Sequence, residues 1–489
     1  MKKLLAIVLV MAMLFSFAAC SKQNDNKEEK EEEKEKQVGN FAVPEEGYDG
    51  SVVTIQFYYE YYKALNDEMD KYIKEFNKLY PKIIVEDEYF GNKEALFDYM
   101  ATMMTVGETP HITCGSPNQL AYYQKEDTLV TLDDLISSQI PVTRADGSTE
   151  VLGLTQTQID DFIPGVYAGG RSPTDGLMYS LPYRTDYDVL YYNKTFFDEN
   201  KIPVPATWEE MEQVCRRIKE LDPDSVPLGY YSENNLLINY CYQTGSDYLS
   251  ADGDVAFNNA QNRDFLRKLR QWREEGLLLA QADLYADFVA IKYGPDDDFV
   301  QAQDPICYMA IDAVSPAKYY APSSYHGAAE EFEVGVAMLP QENPSDPKVI
   351  CTGTNMCIFQ KENPQEVIAS WLFVKFLATK PEFQLELAMM ANMCPVTKTA
   401  AQLPEYQDYL ASADGGDNLP ALAASTYAAQ WDALYKPVGT YWERADSIVQ
   451  WLVLQCLIEE TDGDEEAAIQ EWFALAVEGI HKNETNRPR

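Results

Sequence analysis

Four consecutive residues, Tyr183-Arg184-Thr185-Asp186, bring an aromatic ring, a guanidinium, a hydroxyl and a carboxylate together. Such a set suits a ligand rich in hydroxyl groups. Charged groups make the strongest hydrogen bonds to hydroxyls, and flat rings cover the apolar C–H faces of a sugar. With Glu60, Asp186 also makes a pair of acids of the kind that flanks a glycosidic bond during hydrolysis; sequence spacing leaves that reading open. Other chemistries find no pattern. GxSxG, HExxH and the P-loop are absent. The three histidines, His111, His326 and His481, have no metal-ligand spacing. Asp296-Asp297-Asp298 and Asp462-Gly463-Asp464-Glu465-Glu466 do not follow an EF-hand register. The second run reads as the charged start of a helix. Neither a metal nor a cofactor is expected.

Charge narrows the partners. The chain carries 79 acidic against 39 basic residues, a formal net charge of −40. Phosphate backbones require a basic footprint, so nucleic acid is excluded as a partner, and charge-driven docking on anionic lipid is disfavoured. Eight cysteines follow Cys20: Cys114, Cys215, Cys241, Cys307, Cys351, Cys357, Cys394 and Cys456. None forms CxxC or a zinc spacing. Most sit beside apolar residues and read as buried thiols, although an exported chain could pair some of them.

The elements that hold these residues follow from the pattern. Lys2 and Lys3, then the apolar run Leu4 to Phe17, form a targeting segment too short to span a bilayer. It ends in Ala18-Ala19-Cys20, small residues before a cysteine. Ser21 to Asn40 is almost without apolar residues and reads as a solvated tether. Strands are expected at Val52–Tyr59, Ile83–Val85 and Pro110–Thr113, with helices at Asn66–Tyr80 and Glu94–Thr105 between them. This alternation predicts parallel βαβ units. Met178–Pro182 and Val189–Asn193 read as two short strands with the polar tetrapeptide between them. Thr207-Trp208-Glu209-Glu210 is a capping box, and Met211, Val214, Cys215 and Ile218 make the stripe of the helix it opens. Asn262–Glu275 is a further amphipathic helix stopped by Gly276. Cys307–Ile311 and Val334–Pro340 are buried strands.

The ordered string Leu181-Pro182-Tyr183, then Leu190-Tyr191-Tyr192-Asn193-Lys194, two prolines and Thr207-Trp208-Glu209-Glu210 resembles the family 1 extracellular solute-binding proteins of bacterial ABC importers. Val334–Pro340, Thr352–Met356, the helix carrying Trp371, Phe373 and Lys375, and Cys394-Pro395-Val396 match the same pattern. The resemblance covers about residues 50–480. His111 replaces the aspartate usual in the third strand, and Phe17 replaces the leucine usual in a lipobox. The resemblance implies an α/β, two-lobe periplasmic-binding-protein-like fold with the ligand cleft between lobes. It divides the chain into a lipoprotein signal (1–20), a tether (21–49), lobe 1 (50–180 and 336–394) and lobe 2 (181–335 and 395–489). Crossings are expected near Tyr179–Asp188, Val334–Pro340 and Cys394–Val396.

What the resemblance implies about function is capture of a mono- or oligosaccharide for an ABC permease, without catalysis. A non-sugar solute such as a glycerol phosphodiester is the alternative, and an exported carbohydrate-active enzyme a further one. Cys20 would carry the lipid that anchors a monomer to the outer face of the cell membrane. The residues it places at ligand loops are Tyr58, Tyr59, Glu60, Ser116, Asn118, Tyr183, Arg184, Asp186, Asp312, Ser315, Thr354, Asn355, Tyr441 and Trp442. Asp186 is the expected acceptor for hydroxyls and Trp442 the stacking platform. Tyr183 could equally pack in the core, and Arg184 and Asp186 could form an ion pair.

Overall fold

The computed structural model describes residues 37–60, 63–125, 127–230, 233–250, 253–280, 307–321, 332–416, 418–427, 434–436, 445–461 and 463–482. Cys20, Tyr441, Trp442 and Asp296–Asp298 lie outside them.

Strands β1 (Val53–Glu60), β2 (Ile83–Phe90) and β3 (Ile112–Gly115) pair in parallel. Helices Lys63–Leu79 and Lys93–Val106 connect them. A small hairpin follows, β4 (Pro141–Thr143) with β5 (Thr149–Val151). The expected pair of short strands is instead one strand, β6 (Ser180–Asn193), fourteen residues long. It is buried along nearly its whole length, as a strand covered on both faces should be. The polar tetrapeptide does not interrupt it, because its polar side chains find partners on neighbouring segments.

β6 organises the molecule. Its first half, Ser180 to Tyr187, pairs antiparallel with β11 (Ile350–Ile358), which continues to β3. Its second half pairs with β9 (Met309–Ala313) and β10 (Val334–Met338), and β9 continues to β7 (Leu228–Tyr230) and β8 (Leu278–Ala280). The order among described residues is β2-β1-β3-β11-β6-β9-β7-β8, with β10 also on β6 and β12 (Leu434–Tyr435) on β11. Two bodies therefore share one crossing strand. Where β11 passes β6, Gly353 has φ of 155°, and a Cβ there would sit 2.2 Å from the Arg184 carbonyl oxygen. Only glycine admits that approach, and it sets Thr354 opposite Arg184.

Helices behave as their periodicity predicts. The capping box at Thr207 is formed in full, and Met211, Val214, Cys215 and Ile218 are buried beneath it. Asp464 caps the helix Glu465–Lys482 through the Ala467 amide at 3.0 Å. The helix Pro364–Thr379 is buried almost all round and packs on β1 and β6. There Trp371 donates to the Leu152 carbonyl and Lys375 to Glu150. The expected switch to the second body at residue 395 comes later. Val396 accepts from the Ile163 amide, and Lys398 and Thr399 bond to Asp160 and Asp161, all partners beside the first body. The chain turns to β10 only at Gly415, whose carbonyl accepts from Val334. All eight described cysteines are buried and unpaired.

Candidate functional site

Strand alternation sorts the site. Arg184, Asp186 and Asp188 share one face of β6, and Tyr183, Tyr187 and Tyr191 the other. On β1, Tyr58 and Glu60 share a face opposite Phe57 and Tyr59. The Arg184 and Glu60 side chains meet, and the guanidinium Nη2 donates to the Glu60 carboxylate in a closely paired ion pair. Arg184 Nε donates to Thr354 Oγ1 at 2.9 Å. Both charges are buried, at 5% and 3% exposure, so each depends on the other. This group lies where β1 ends, the strand end at which open α/β sheets place ligands.

Asp186 is also buried. Its Oδ1 accepts from the amides of Tyr187, Val314 and Ser315 at 2.9, 3.0 and 3.3 Å. The carboxylate therefore holds the turn after β9. Burial pushes its carboxyl above the ordinary range, and the amide donors oppose that. Two residues on, Asp188 accepts from Asn235 Nδ2 at 3.3 Å, and burial raises its pKa to about 7. Asp312 accepts from its neighbour's amide and from the Tyr320 hydroxyl at 2.8 Å, and burial likewise lifts it to about 7.

Across from these residues, Ser116 and Asn118 begin the helix Pro117–Lys125 after β3. The Ser116 amide donates to Gln119 Oε1 and its carbonyl accepts from Leu120. Asn118 Nδ2 reaches Asp446 Oδ2 at 2.5 Å, on the helix Ala445–Ile458 of the second body. Asp446 also pairs with Lys436 at 2.6 Å, and Lys436 donates to Asn235 at 3.2 Å.

The structure thus brings Glu60, Arg184 and Thr354 together, and sets Asp186 beside Ser315. It moves other expected ligand residues away. Tyr59 lies fully in the core, stacked on Phe57 and bonded to Asp87. Tyr183 packs near Phe383, and Asn355 is buried with its amide on Ser180. The reason is phase: Tyr59 and Tyr183 fall one residue out of step with Glu60 and Arg184. Tyr58, on the correct face, packs with Phe90 and Tyr99. Asp312 pairs in register with Val189, on the face of Tyr191 and Tyr320 rather than that of Asp186. Sequence reasoning missed Asp188, Asn235, Lys436 and Asp446. Asp188 was accessible, being two residues beyond Asp186 on the same face; Lys436, Asn235 and Asp446 carry no pattern that marks them.

Residues 71–413 match the family described as bacterial extracellular solute-binding protein. A curated relative, the sn-glycerol-3-phosphate-binding periplasmic protein UgpB of Shigella flexneri, is 21% identical over 383 residues, covering 75% of this chain and 80% of that protein. Among solved structures, the cyclic alpha-maltosyl-1,6-maltose binding protein from Arthrobacter globiformis has a TM-score of 0.66 at 17% identity, covering 88% of this chain and 99% of that one. The sugar-binding protein MalE from the phytopathogen Xanthomonas citri has a TM-score of 0.65 at 18% identity, over 88% and 98%. At these identities the likeness of the structures is one of fold, and that fold is the two-lobe one.

Proposed function

Because this chain belongs to the bacterial extracellular solute-binding protein family, which serves ABC transporters, we propose that its ligand is a carbohydrate, a mono- or oligosaccharide. The ligand would bind between the two lobes and be passed intact to membrane permease subunits. The lobes are the bodies built around β1–β3 and around β7–β10, hinged along β6 and β11. The observation that carries the sugar reading is the charge state of the cleft. Its two described buried cations, Arg184 and Lys436, each already face a carboxylate, Glu60 and Asp446. Asp186 and Asp188, on the face of β6 that carries Arg184, add further acid. Such a lining offers many acceptors to hydroxyls and, among the described residues, no uncommitted cation to a phosphate. The fold neighbours named as a cyclic alpha-maltosyl-1,6-maltose binding protein and a sugar-binding protein agree with this.

A second reading draws on the glycerol phosphate named for the UgpB relatives and on the glycerophosphocholine complex of a UgpB among the solved structures. A thermal-shift screen separates the two, since a ligand that binds only the folded state raises the melting temperature. The expected result is a rise with a mono- or oligosaccharide and none with sn-glycerol-3-phosphate or glycerophosphocholine. A rise with the phosphate compounds alone replaces the sugar reading. Recovery of the sugar unchanged after incubation checks that the chain binds without turnover.

The small-residue junction before Cys20 supports a lipid anchor there, on a monomer held at the outer face of the cell membrane. Among the described residues no helix is long and apolar enough to cross a membrane. Cys20→Ala should release the exported protein from membranes; retention as firm as the parent's would place the anchor elsewhere.

A further inference from the structure

We infer that Asn118 and Asp446 form a clasp between the lobes that holds the molecule closed before any ligand arrives, with Lys436 positioning the carboxylate. Asn118 belongs to the first lobe, at the start of the helix that packs on β3 and β11. Asp446 belongs to the second, in the first turn of a helix packed on Glu233–Thr244 and Ala260–Glu274. One oxygen of Asp446 takes the Asn118 amide at 2.5 Å; the other takes the Lys436 ammonium at 2.6 Å. Lys436 is 8% exposed and is itself held by Asn235, which reaches Asp188 on the crossing strand. A continuous line of five polar side chains therefore runs from the hinge strand, through the second lobe, to the first. Asn235 and Asp446 lie on the second lobe and Asp188 on the crossing strand, while Lys436 directly follows β12, which pairs with β11 at the hinge. Among the described members of this line, Asn118 is the one that comes from the first lobe.

The geometry has a functional consequence. Lys436 and Asn235 keep Asp446 aimed at the first lobe whether or not Asn118 is there, so the acceptor is preorganised and only the last bond forms on closing. A hydrogen bond to a charged acceptor is stronger than a neutral one. The clasp raises the fraction of ligand-free molecules already in the closed arrangement. Apparent affinity scales with the fraction of molecules competent to bind, so loss of the clasp weakens capture without removing a ligand contact. Asn118, expected from the sequence to touch ligand, acts here as a positioning residue.

The test is small-angle X-ray scattering of the ligand-free full chain, which does not depend on which solute is bound. Asn118→Asp sets two carboxylates against each other and should enlarge the radius of gyration. Asn118→Ala should do so less. The reciprocal double variant, Asn118→Asp with Asp446→Asn, restores a donor facing an acceptor and should return the curve toward the parent. Circular dichroism melting confirms that each variant is folded. With a solute found by thermal shift, Asn118→Ala should bind roughly 3- to 30-fold more weakly, by the same scaling. Folded Asn118→Asp and Asn118→Ala proteins that scatter as the parent overturn the clasp, even if the sugar reading holds. Opening in Asn118→Asp that the double variant fails to reverse overturns the pairing with Asp446. A solute other than a sugar in the screen would overturn the sugar reading and leave this result intact.

Discussion

Glu60 on β1 and Asp188 on β6 are buried to the same degree, 3% and 1% exposed, yet they are held by different means. Glu60 faces a guanidinium, and Arg184 in turn has Thr354 on its Nε. Asp188 has an amide, Asn235, within hydrogen-bond reach, and its closest cation is one removed, on Lys436. Its neighbours Asp186 and Asp312 are likewise served by backbone amides and a tyrosine hydroxyl. One region neutralises a buried acid with an opposite charge. The other lets desolvation act, and its carboxyls rise. In a chain with twice as many acids as bases, cations are scarce. Arg184, the one cation of the crossing strand, is taken by Glu60, and Asp186 and Asp188 on that strand and Asp312 on β9 do without.

Removing the cation should expose the first arrangement most severely. Arg184→Met leaves Glu60 buried without a partner, and breaking a buried ion pair costs about 3–5 kcal/mol. Urea denaturation should show that loss. Adding Glu60→Gln to the same chain should recover most of it, because the stranded charge is then gone. A single variant as stable as the parent would mean that Glu60 is not held by Arg184, and the contrast with Asp188 would disappear.

The crossing region should reveal itself through pH. Asp188 and Asp312 titrate near 7 in the folded chain against an ordinary value of 3.8. The unfolded chain therefore releases these protons first. Their contribution to stability is fully present below about pH 3.8 and is lost as pH rises through about 7. Each group can account for a loss on the order of 2–4 kcal/mol over that window. Acids whose carboxyls are lowered by partners, Glu150 and Glu386 among them, work in the opposite direction as pH falls. The clean measurement is therefore a difference. Asp188→Asn keeps an acceptor for Asn235 and cannot ionise, so its melting temperature relative to the parent should be higher at pH 8 than at pH 5. A constant difference across that range would show that Asp188 does not titrate there.

How much of this could be read from residues alone divides along the same lines. The α/β alternation, the Thr207 capping box and the stripe of the helix at Asn262 rest on local rules, and the structure follows them. Glu60, Arg184 and Thr354 were each expected at the site, but their mutual contact depends on sheet order, which periodicity does not encode. The continuity of β6 was hidden because Arg184 and Asp186 look like loop residues until partners from β1 and from the turn after β9 are in place. Tyr59 and Tyr183 were misplaced by one residue of strand phase. Asp446 and Lys436 come from the far end of the chain and meet Asn118 only through packing of the second lobe.

The smallest expected effect gives the finest test of the comparison. Thr354 contributes one neutral acceptor to Arg184 Nε at 2.9 Å, next to Gly353, where β11 leaves no room for a side chain against β6. Thr354→Val keeps shape and β-branching and removes the hydroxyl, so the change isolates that bond. A hydrogen bond of this kind is worth about 0.5–1.5 kcal/mol, and more when the group it leaves unmade is buried and charged. If Arg184 is fixed chiefly by Glu60, the loss should sit at the low end of that range, because the ion pair survives. In the Glu60→Gln background the guanidinium has lost its charged partner and leans on Thr354, so the same substitution should cost more there. A double-mutant cycle by urea denaturation reads the coupling between the two positions. Additive effects would mean that Thr354 and Glu60 hold Arg184 independently, and the charge pair would then explain the region without the hydroxyl.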